Sequence, residues 1–295
     1  MKKVLISGGS GLVGTALTDL LLTKGYKVAH LSTRKKYKRK GVESYYWNPS
    51  KGELDPKAFL DAEVLIHLAG AGIADERWTA ERKKLLIDSR VQSAKLLTDF
   101  MLKHPHQVNR FIGTSAIGYY GDRQEVLTEE SALGKGFLAE VCQLWEASYE
   151  EVPASISTII LRLGVVLTTK GGALPEMMKT MPFFMALLGS GKQIYSWIHL
   201  QDLAQMFLFM IEQEQLQGIY NAVAPQTTSQ KEMAKIIANK KGVFTVPTPE
   251  FALQIALGEM KEVVMNSQNC SADKMLAGGF KFNFERIDKA IDDLL

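Results

Sequence analysis

Apolar residues gather in short runs through the first half of the chain, and the stretches between those runs carry apolar positions at helical spacing. Val4-Leu5-Ile6 is the first run and predicts a buried strand. Leu17, Leu20, Leu21 and Leu22 then mark a helix over residues 12–23, which Gly25 breaks. Strands are predicted at 27–31, 44–47, 64–68, 108–114 and 155–161, with a short helix at 56–60 and a further helix at 136–151. Leu86, Val91, Ala94, Leu97 and Met101 lie along one face of a long helix over 80–103. Strands alternating with helices of this length predict a mainly parallel sheet covered on both faces, and hence an α/β fold.

After residue 165 the rhythm changes. Residues 167–198 are rich in glycine and methionine and poorly periodic. A helix is predicted at 199–212 from Leu203, Met206, Phe207 and Met210, a strand at 220–223, and a serine-capped helix at 229–240. Residues 244–249 read as extended and 251–264 as an apolar helix, and the mixed stretch 274–295 ends in a short helix. The expected division is a main domain over 1–165 and a smaller mixed lobe over 166–295, whose chain returns to the main sheet.

Composition narrows the class of protein. The net charge is +3 over 295 residues, with acids and bases interspersed. The one basic cluster, Arg34 to Lys40, is too little basic surface for nucleic-acid binding. The most apolar stretch, 174–188, is short and interrupted by Pro175, Glu176, Lys179 and Pro182, so no membrane span is expected. The first strand occupies the amino terminus in place of a signal peptide, and a cytoplasmic protein is expected. Cys142 and Cys270 have no metal spacing and read as buried thiols, and the five histidines form no metal pair. The expected partner is a small molecule, with no nucleic acid and no membrane, in a monomer or homodimer.

The richest signal lies between the first strand and the first helix. Gly8, Gly11 and Gly14 have the spacing GxxGxxG in a strand–loop–helix context. The first glycine permits a tight turn, the second lets backbone approach a pyrophosphate, and the third lets helix and sheet pack closely. Ser10, Leu12 and Val13 complete that loop at the positive end of the helix. The fold class expected is therefore a Rossmann-type doubly wound parallel sheet, dinucleotide-binding over 1–165, with a substrate-side lobe behind it. The second strand ends in Ser32-Thr33-Arg34, where NAD sites commonly carry a carboxylate. Arg34 suits a 2′-phosphate, with Lys35 adding charge, so NADP is expected over NAD; the alternative is that Arg34 is only part of a solvated loop. Leu68, Ala69, Gly70 and Ala71 follow the fourth strand and Thr114 and Ser115 end the fifth, both at the sheet edge where open parallel sheets bind ligands.

Longer stretches carry a family resemblance. His67-Leu68-Ala69-Gly70, Arg77-Trp78, Asp88-Ser89-Arg90-Val91 and Thr114 to Gly121 are followed by Trp145-Glu146, Gly171-Gly172-Ala173-Leu174 and Ser196-Trp197-Ile198-His199. With these the chain resembles the extended short-chain dehydrogenase/reductases, the superfamily of nucleotide-sugar epimerases and dehydratases. It is closest to the atypical epimerase-like subgroup, labelled in places as cell-division inhibitors, whose own carboxyl-terminal segment 247–295 resembles. The resemblance implies hydride exchange between a nicotinamide cofactor and a substrate, with Tyr-x-x-x-Lys on a helix handling the proton. Here Phe137 stands for the tyrosine, Val141 for the lysine, and Ala116 for the usual Ser/Thr.

Other groups must serve if chemistry survives. Tyr119 is the candidate proton donor, its other role being packing, and Ser115 the candidate for orienting a substrate oxygen. Arg77, Trp78 and Lys83, with Trp197 and His199, are candidate substrate contacts; their bland roles are stacking, capping and bracing. Two functions fit this sequence: an NADP-dependent oxidoreductase or nucleotide-sugar epimerase-like enzyme with a substitute proton donor, or an NADP-binding regulatory or interaction protein that has lost catalysis.

Overall fold

The computed structural model describes residues 2–295. In chain order the first half comprises β1 (Lys3–Ser7), α1 (Leu12–Thr23), β2 (Lys27–Ser32), β3 (Val42–Asn48), β4 (Glu53–Leu54), β5 (Val64–His67), α2 (Ala80–Lys103), β6 (Arg110–Ala116), β7 (Arg123–Leu127), α3 (Phe137–Ala147) and β8 (Ser157–Leu163). The second half comprises β9 (Val165–Leu167), α4 (Ala173–Met177), β10 (Phe184–Leu188), β11 (Ile194–Tyr195), β12 (Trp197–His199), α5 (Leu200–Glu212), β13 (Gly218–Ala222), β14 (Thr228–Ser229), α6 (Gln230–Lys241), β15 (Phe244–Thr248), α7 (Glu250–Leu257), α8 (Glu262–Met265), β16 (Gln268–Cys270), α9 (Asp273–Ala277) and α10 (Ile287–Leu294).

The main sheet has the order β13-β8-β6-β5-β1-β2-β3-β4, parallel throughout except for the terminal β3–β4 pair. From β1 the chain builds outward through β2 and β3, then crosses back to β5 and builds the other way. The order therefore reverses between β1 and β5, and a crevice opens there beyond the strand ends. The central strands are apolar on both faces because helices cover both. Val4, Ile6 and Ile112 pack with Leu17 and Leu21 of α1 and Leu203 and Phe207 of α5. Leu5, Leu65 and Phe111 pack with Ala94 and Leu97 of α2 and with Trp145 beneath α3. This is a Rossmann-type fold with extra C-terminal elements, and no helix among the described residues is long and apolar enough to cross a membrane.

The long helices stand where their periodicity puts them, and the deviations have local causes. The apolar run 251–264 is not one helix: Gly258 takes φ +61° and ends α7, a 3-10 turn follows, and α8 resumes. The poorly periodic stretch 167–198 holds β10, β11 and β12, each pairing with a strand distant in sequence or across a sharp bend, β10 with β15 and β12 with β9. β7 is polar by pattern and forms only because β16 pairs with it. The lower edge of the sheet is closed by one buried cation. Arg110 on β6 donates to the carbonyls of Met210, Gln213, Glu214 and Leu216, which α5 and its exit leave without helical partners. Arg110→Met should strand those carbonyls and destabilise the chain by about 3 kcal/mol, read as a lowered urea midpoint with unchanged m-value.

Candidate functional site

Two backbone loops meet at the β1/β5 crevice. Gly8 adopts φ +72°, and a Cβ there would stand 2.8 Å from the Leu68 carbonyl carbon. Gly11 is the N-cap of α1, its amide donating to the Gly8 carbonyl at 3.0 Å. Gly14 is buried, and a Cβ on it would stand 2.6 Å from Gly9 Cα. α1 starts with no side-chain cap and no acidic residue in its first turn. Its first amides and the positive end of its dipole are thus left for an external anion, as a pyrophosphate requires. Ser10 and Gly11 are exposed and Leu12 and Val13 half-buried. Leu12 also faces the second lobe, where a Cβ on Gly172 would stand 3.6 Å from its Cδ2.

The outer lip of the crevice is the loop after β2. The Ser32 hydroxyl accepts the Arg34 amide at 3.1 Å, which fixes the turn and leaves Thr33 and the Arg34 side chain exposed. On the inner lip Leu68 and Ala69 are half-buried and Gly70 exposed, and the Ala71 amide donates to the Ser89 hydroxyl at 3.0 Å. The two hydroxyls ending β6 part company. Thr114 donates to the His67 carbonyl at 2.8 Å and is spent within the sheet. Ser115 is buried beside the Cys142 thiol, and its oxygen has no hydrogen-bond partner of ordinary geometry.

Two buried histidines floor the cleft. His30 lies directly under Gly9, where any side chain would overlap its ring. Its Nε2 faces the Thr18 hydroxyl at 2.8 Å and its Nδ1 the Tyr37 hydroxyl at 3.2 Å. His67 is held between the hydroxyls of Ser7 at 2.5 Å and Ser93 at 3.0 Å. Burial, seconded by Arg39, lowers the His30 pKa to about 4, and burial, seconded by Arg90, lowers that of His67 to about 3. Both are neutral near pH 7.

Helix α3 fills the tyrosine–lysine position with apolar groups. Phe137 meets the edge of Trp78 at 4.9 Å between ring centroids, and Val141 is buried. Under the same helix Arg162 forms a bidentate pair with Glu146, both bonds at 2.8 Å. Its Nη1 donates to the Tyr120 hydroxyl, which donates to Asn221 Oδ1 at 2.7 Å. Tyr119 is half-buried with its ring 3.5 Å from the Arg162 guanidinium, so a cation fixes the orientation of the candidate donor.

The remaining sequence candidates have other partners. Arg77 donates to the carbonyls of Ile255 and Ala256, at the C-terminal end of α7, where a cation answers the helix dipole. Lys83 pairs with Glu259 and lies 5.0 Å over the Phe137 ring. These two residues latch residues 250–262 across the loop after β5, rather than standing open to a ligand. Trp78 is buried, its indole N–H bonded to the Ile73 carbonyl at 2.9 Å. Trp197 is packed in the apolar cluster with Leu167, Met233, Ile237 and Ile291. His199 caps α5 through Nδ1, stacks on Phe284 and turns Nε2 to Asp293 at 3.3 Å. It is a brace for the C-terminal segment, as is Asp202, which accepts from the Asn283 and Phe284 amides.

Comparison with known proteins agrees with this arrangement. Residues 4–222 match the model of the NAD-dependent epimerase/dehydratase family. The chain belongs to that family. Residues 248–294 match a domain of unknown function, DUF1731. A family relative from Bacillus subtilis, the epimerase family protein YfhF, is 32% identical over 99% of this chain and 97% of its own. The human epimerase family protein SDR39U1, solved with NADPH, superposes with TM-score 0.87 at 26% identity over 99% of this chain and 98% of that one. A nucleoside-diphosphate sugar epimerase from Corynebacterium glutamicum gives 0.79 at 31% identity, this chain spanning 58% of its length. The family also corrects the expected cofactor preference. Six more distant structures of this fold, 14–18% identical, hold NAD. NAD is therefore at least as fitting as NADP, and the exposed, unanchored Arg34 does not select between them.

Residues that sequence reasoning passed over are Arg90, His67 and the Arg162–Glu146 pair. Each lay in or near a motif of this family, but burial and partner, which give it meaning, come from distant elements. Two predictions follow from this geometry. The unfolded histidines titrate near 6.5, so their lowered folded pKa values leave stability complete above that pH and erode it as pH falls toward about 4 and about 3. By pH 5 each should cost roughly 2 kcal/mol, and His30→Gln should remove about half of the resulting slope of unfolding free energy between pH 6.5 and 5. Arg77→Ala should shift the melting temperature by no more than about 2 °C while raising amide exchange over residues 250–261 roughly tenfold, since exposed latches stabilise local rather than global structure.

Proposed function

We propose that this chain binds a nicotinamide dinucleotide along the β1/β5 crevice and exchanges hydride between it and a small-molecule substrate, without the tyrosine–lysine pair of its family. The observation that carries the reading is the uncapped, acid-free start of α1, pressed against the β5 loop by glycines that leave no room for side chains. In this reading the α1 amides and the backbone from Gly8 to Gly14 receive the pyrophosphate. Ser32 to Arg34 flank the adenosine ribose, and Leu68 to Ala71 pass beneath the dinucleotide. The dinucleotide supplies the hydride acceptor or donor; the protein orients it and excludes water. Ser115, beside the Cys142 thiol, and Tyr119, whose ring stacks on Arg162, remain the candidate polar groups of β6 and its exit.

A second reading is favoured by one contact. Phe137, seated against Trp78 in place of the tyrosine, suits a dinucleotide-binding regulatory or interaction protein without catalysis. Transfer of deuterium from a labelled reduced cofactor to any acceptor in a carbonyl panel separates the two.

Gly11→Asp tests the binding site itself. Position 11 is extended, with φ −75° and ψ 179°, and a Cβ meets only the Gly8 carbonyl at 3.3 Å. Aspartate is a good N-cap, so folding should be kept, while its charge stands where the pyrophosphate would lie. Fluorescence titration with NADH and with NADPH should show affinity lowered by roughly two orders of magnitude for both. Unchanged affinity for both would move the dinucleotide elsewhere.

A further inference from the structure

Several arginines turn inward, and most of them are answered; Arg82 donates to the Gly72 carbonyl at 2.7 Å and lies near Asp75 and Glu76. Arg110 is bonded to four carbonyls, and Arg162 to Glu146. Arg90 on α2 is not. It is half-buried, its chain lying flat along Gly70, where a Cβ would stand 3.2 Å from its Cγ and 3.3 Å from its Cζ. Its guanidinium carbon lies 4.9 Å from the Trp145 ring centroid on another side. Its side chain makes a single hydrogen bond, from Nη1 to the Leu86 carbonyl at 2.9 Å. No carboxylate among the described residues comes within 4.0 Å of it. The titratable neighbours that bear on it supply no negative charge: burial keeps the Cys142 thiol and the Tyr149 phenol protonated, His67 is neutral, and Arg82 is itself a cation.

A partly desolvated cation with no counter-charge is a standing cost unless something else meets it. A second unmet group lies close by. Ser115 is buried with a hydroxyl that meets only the Cys142 thiol, a weak partner, and Cys142 borders both it and Arg90. The two belong to one edge of the sheet. β5 and β6 run side by side in the register His67 to Gly113, so Gly70 and Ser115 lie just beyond or at neighbouring strand ends. In the dinucleotide reading that edge lies on the substrate side of the crevice. The planar fork of an arginine matches a two-oxygen anion, and a hydroxyl donor beside it completes the set.

We propose that Arg90 and Ser115 anchor the carboxylate of a small acidic substrate beside the nicotinamide half of the dinucleotide. The proposal rests on the dinucleotide reading above. It places the cation of this site on α2, whereas the family's lysine lies on α3. The same chemistry could be met by the dinucleotide's own pyrophosphate, and the test separates the two sources.

The probes are NADH, ADP-ribose and oxalate, used with the full-length protein and with Arg90→Met, Arg90→Lys and Ser115→Ala. Oxalate titrated into the NADH-loaded protein should change nicotinamide fluorescence saturably. That affinity should fall at least roughly tenfold in R90M, and by about threefold in S115A and R90K, while ADP-ribose affinity stays within about twofold in every variant. S115A removes a hydroxyl whose one neighbour is a weakly bonding thiol, so it should melt close to the parent protein and keeps the test decisive should R90M fold poorly. Loss of ADP-ribose affinity in R90M would assign the guanidinium to the pyrophosphate and overturn the proposal. So would a parent protein with no saturable oxalate response below about 10 mM. Failure of the dinucleotide reading shows itself separately, as no binding of NADH to the parent protein; calorimetric titration of oxalate into the unloaded protein then reads the anchor alone.

Discussion

The rest of this structure depends on a backbone-to-backbone contact with no side chain in it. The glycine loop after β1 sits so close to the end of β5 that a methyl group on Gly8 would meet the Leu68 carbonyl carbon at 2.8 Å. Gly14 lets α1 close down on the same loop, and Gly9 leaves the room that the His30 ring takes. The contact brings the start of α1 to the point where strand order reverses, so the helix dipole and the crevice coincide. It also explains the floor of the site. Once the loop is a bare backbone layer, polar groups must be supplied from beneath, and Ser7, His67, Thr18 and His30 do so in hydrogen-bonded pairs.

The other side of the cleft is organised by charge. A lysine on α3 would normally hold the cofactor ribose and depress a tyrosine pKa in this family. Here Phe137 and Val141 take those positions, and the charges have moved below and across the helix. Arg162 is neutralised by Glu146 and tied through Tyr120 to Asn221, so it serves as a rigid base for Tyr119. The pairing raises the guanidinium's pKa further, so the charge under Tyr119 is permanent. Arg90, by contrast, spends one donor on the Leu86 carbonyl and meets no carboxylate. The buried Arg110 and Arg162 are thus consumed by architecture while the half-buried Arg90 is left without a counter-charge, a distinction no residue count can make.

The alternation of strands and helices was legible because each central strand is buried on both faces, so its apolar run is continuous. Leu12–Thr23 and Ala80–Lys103 stand where their spacing placed them. The glycine loop was legible because its three positions each answer a separate steric demand. The small strands were not: β7 and β16 are stabilised by one another, and each alone has only a few polar or ambiguous residues. Arg77 and Lys83 looked like ligand contacts because nothing in their neighbourhood of the chain could answer a charge. Their partners, at 255–259, lie in the C-terminal segment, beyond the reach of any local pattern. Arg34 misled for a related reason. A lone cation at the right strand end fits a 2′-phosphate, but an exposed side chain without a second anchor costs too little to signify selection.

The C-terminal segment therefore packs onto the rest of the chain rather than hanging from it as an appendage. Its two ends are firmly held: β15 pairs with β10, and the Ser267 amide donates to Asp122 at 2.7 Å just before β16 pairs with β7. Between them, Tyr195 and Gln193 bond the Val264 carbonyl of α8, while α7 and the turn are held by a helix-end arginine and a partly exposed lysine–glutamate pair, interactions that contribute little in water. α7 buries only Leu253 and leaves Phe251 and Ile255 exposed. A segment anchored at both ends and weakly latched in the middle opens at small free-energy cost without unfolding the domain. Residues 250–262 thus have the stability profile of a segment that exchanges locally, with Arg77 and Lys83 as its contacts to the loop after β5 and the start of α2.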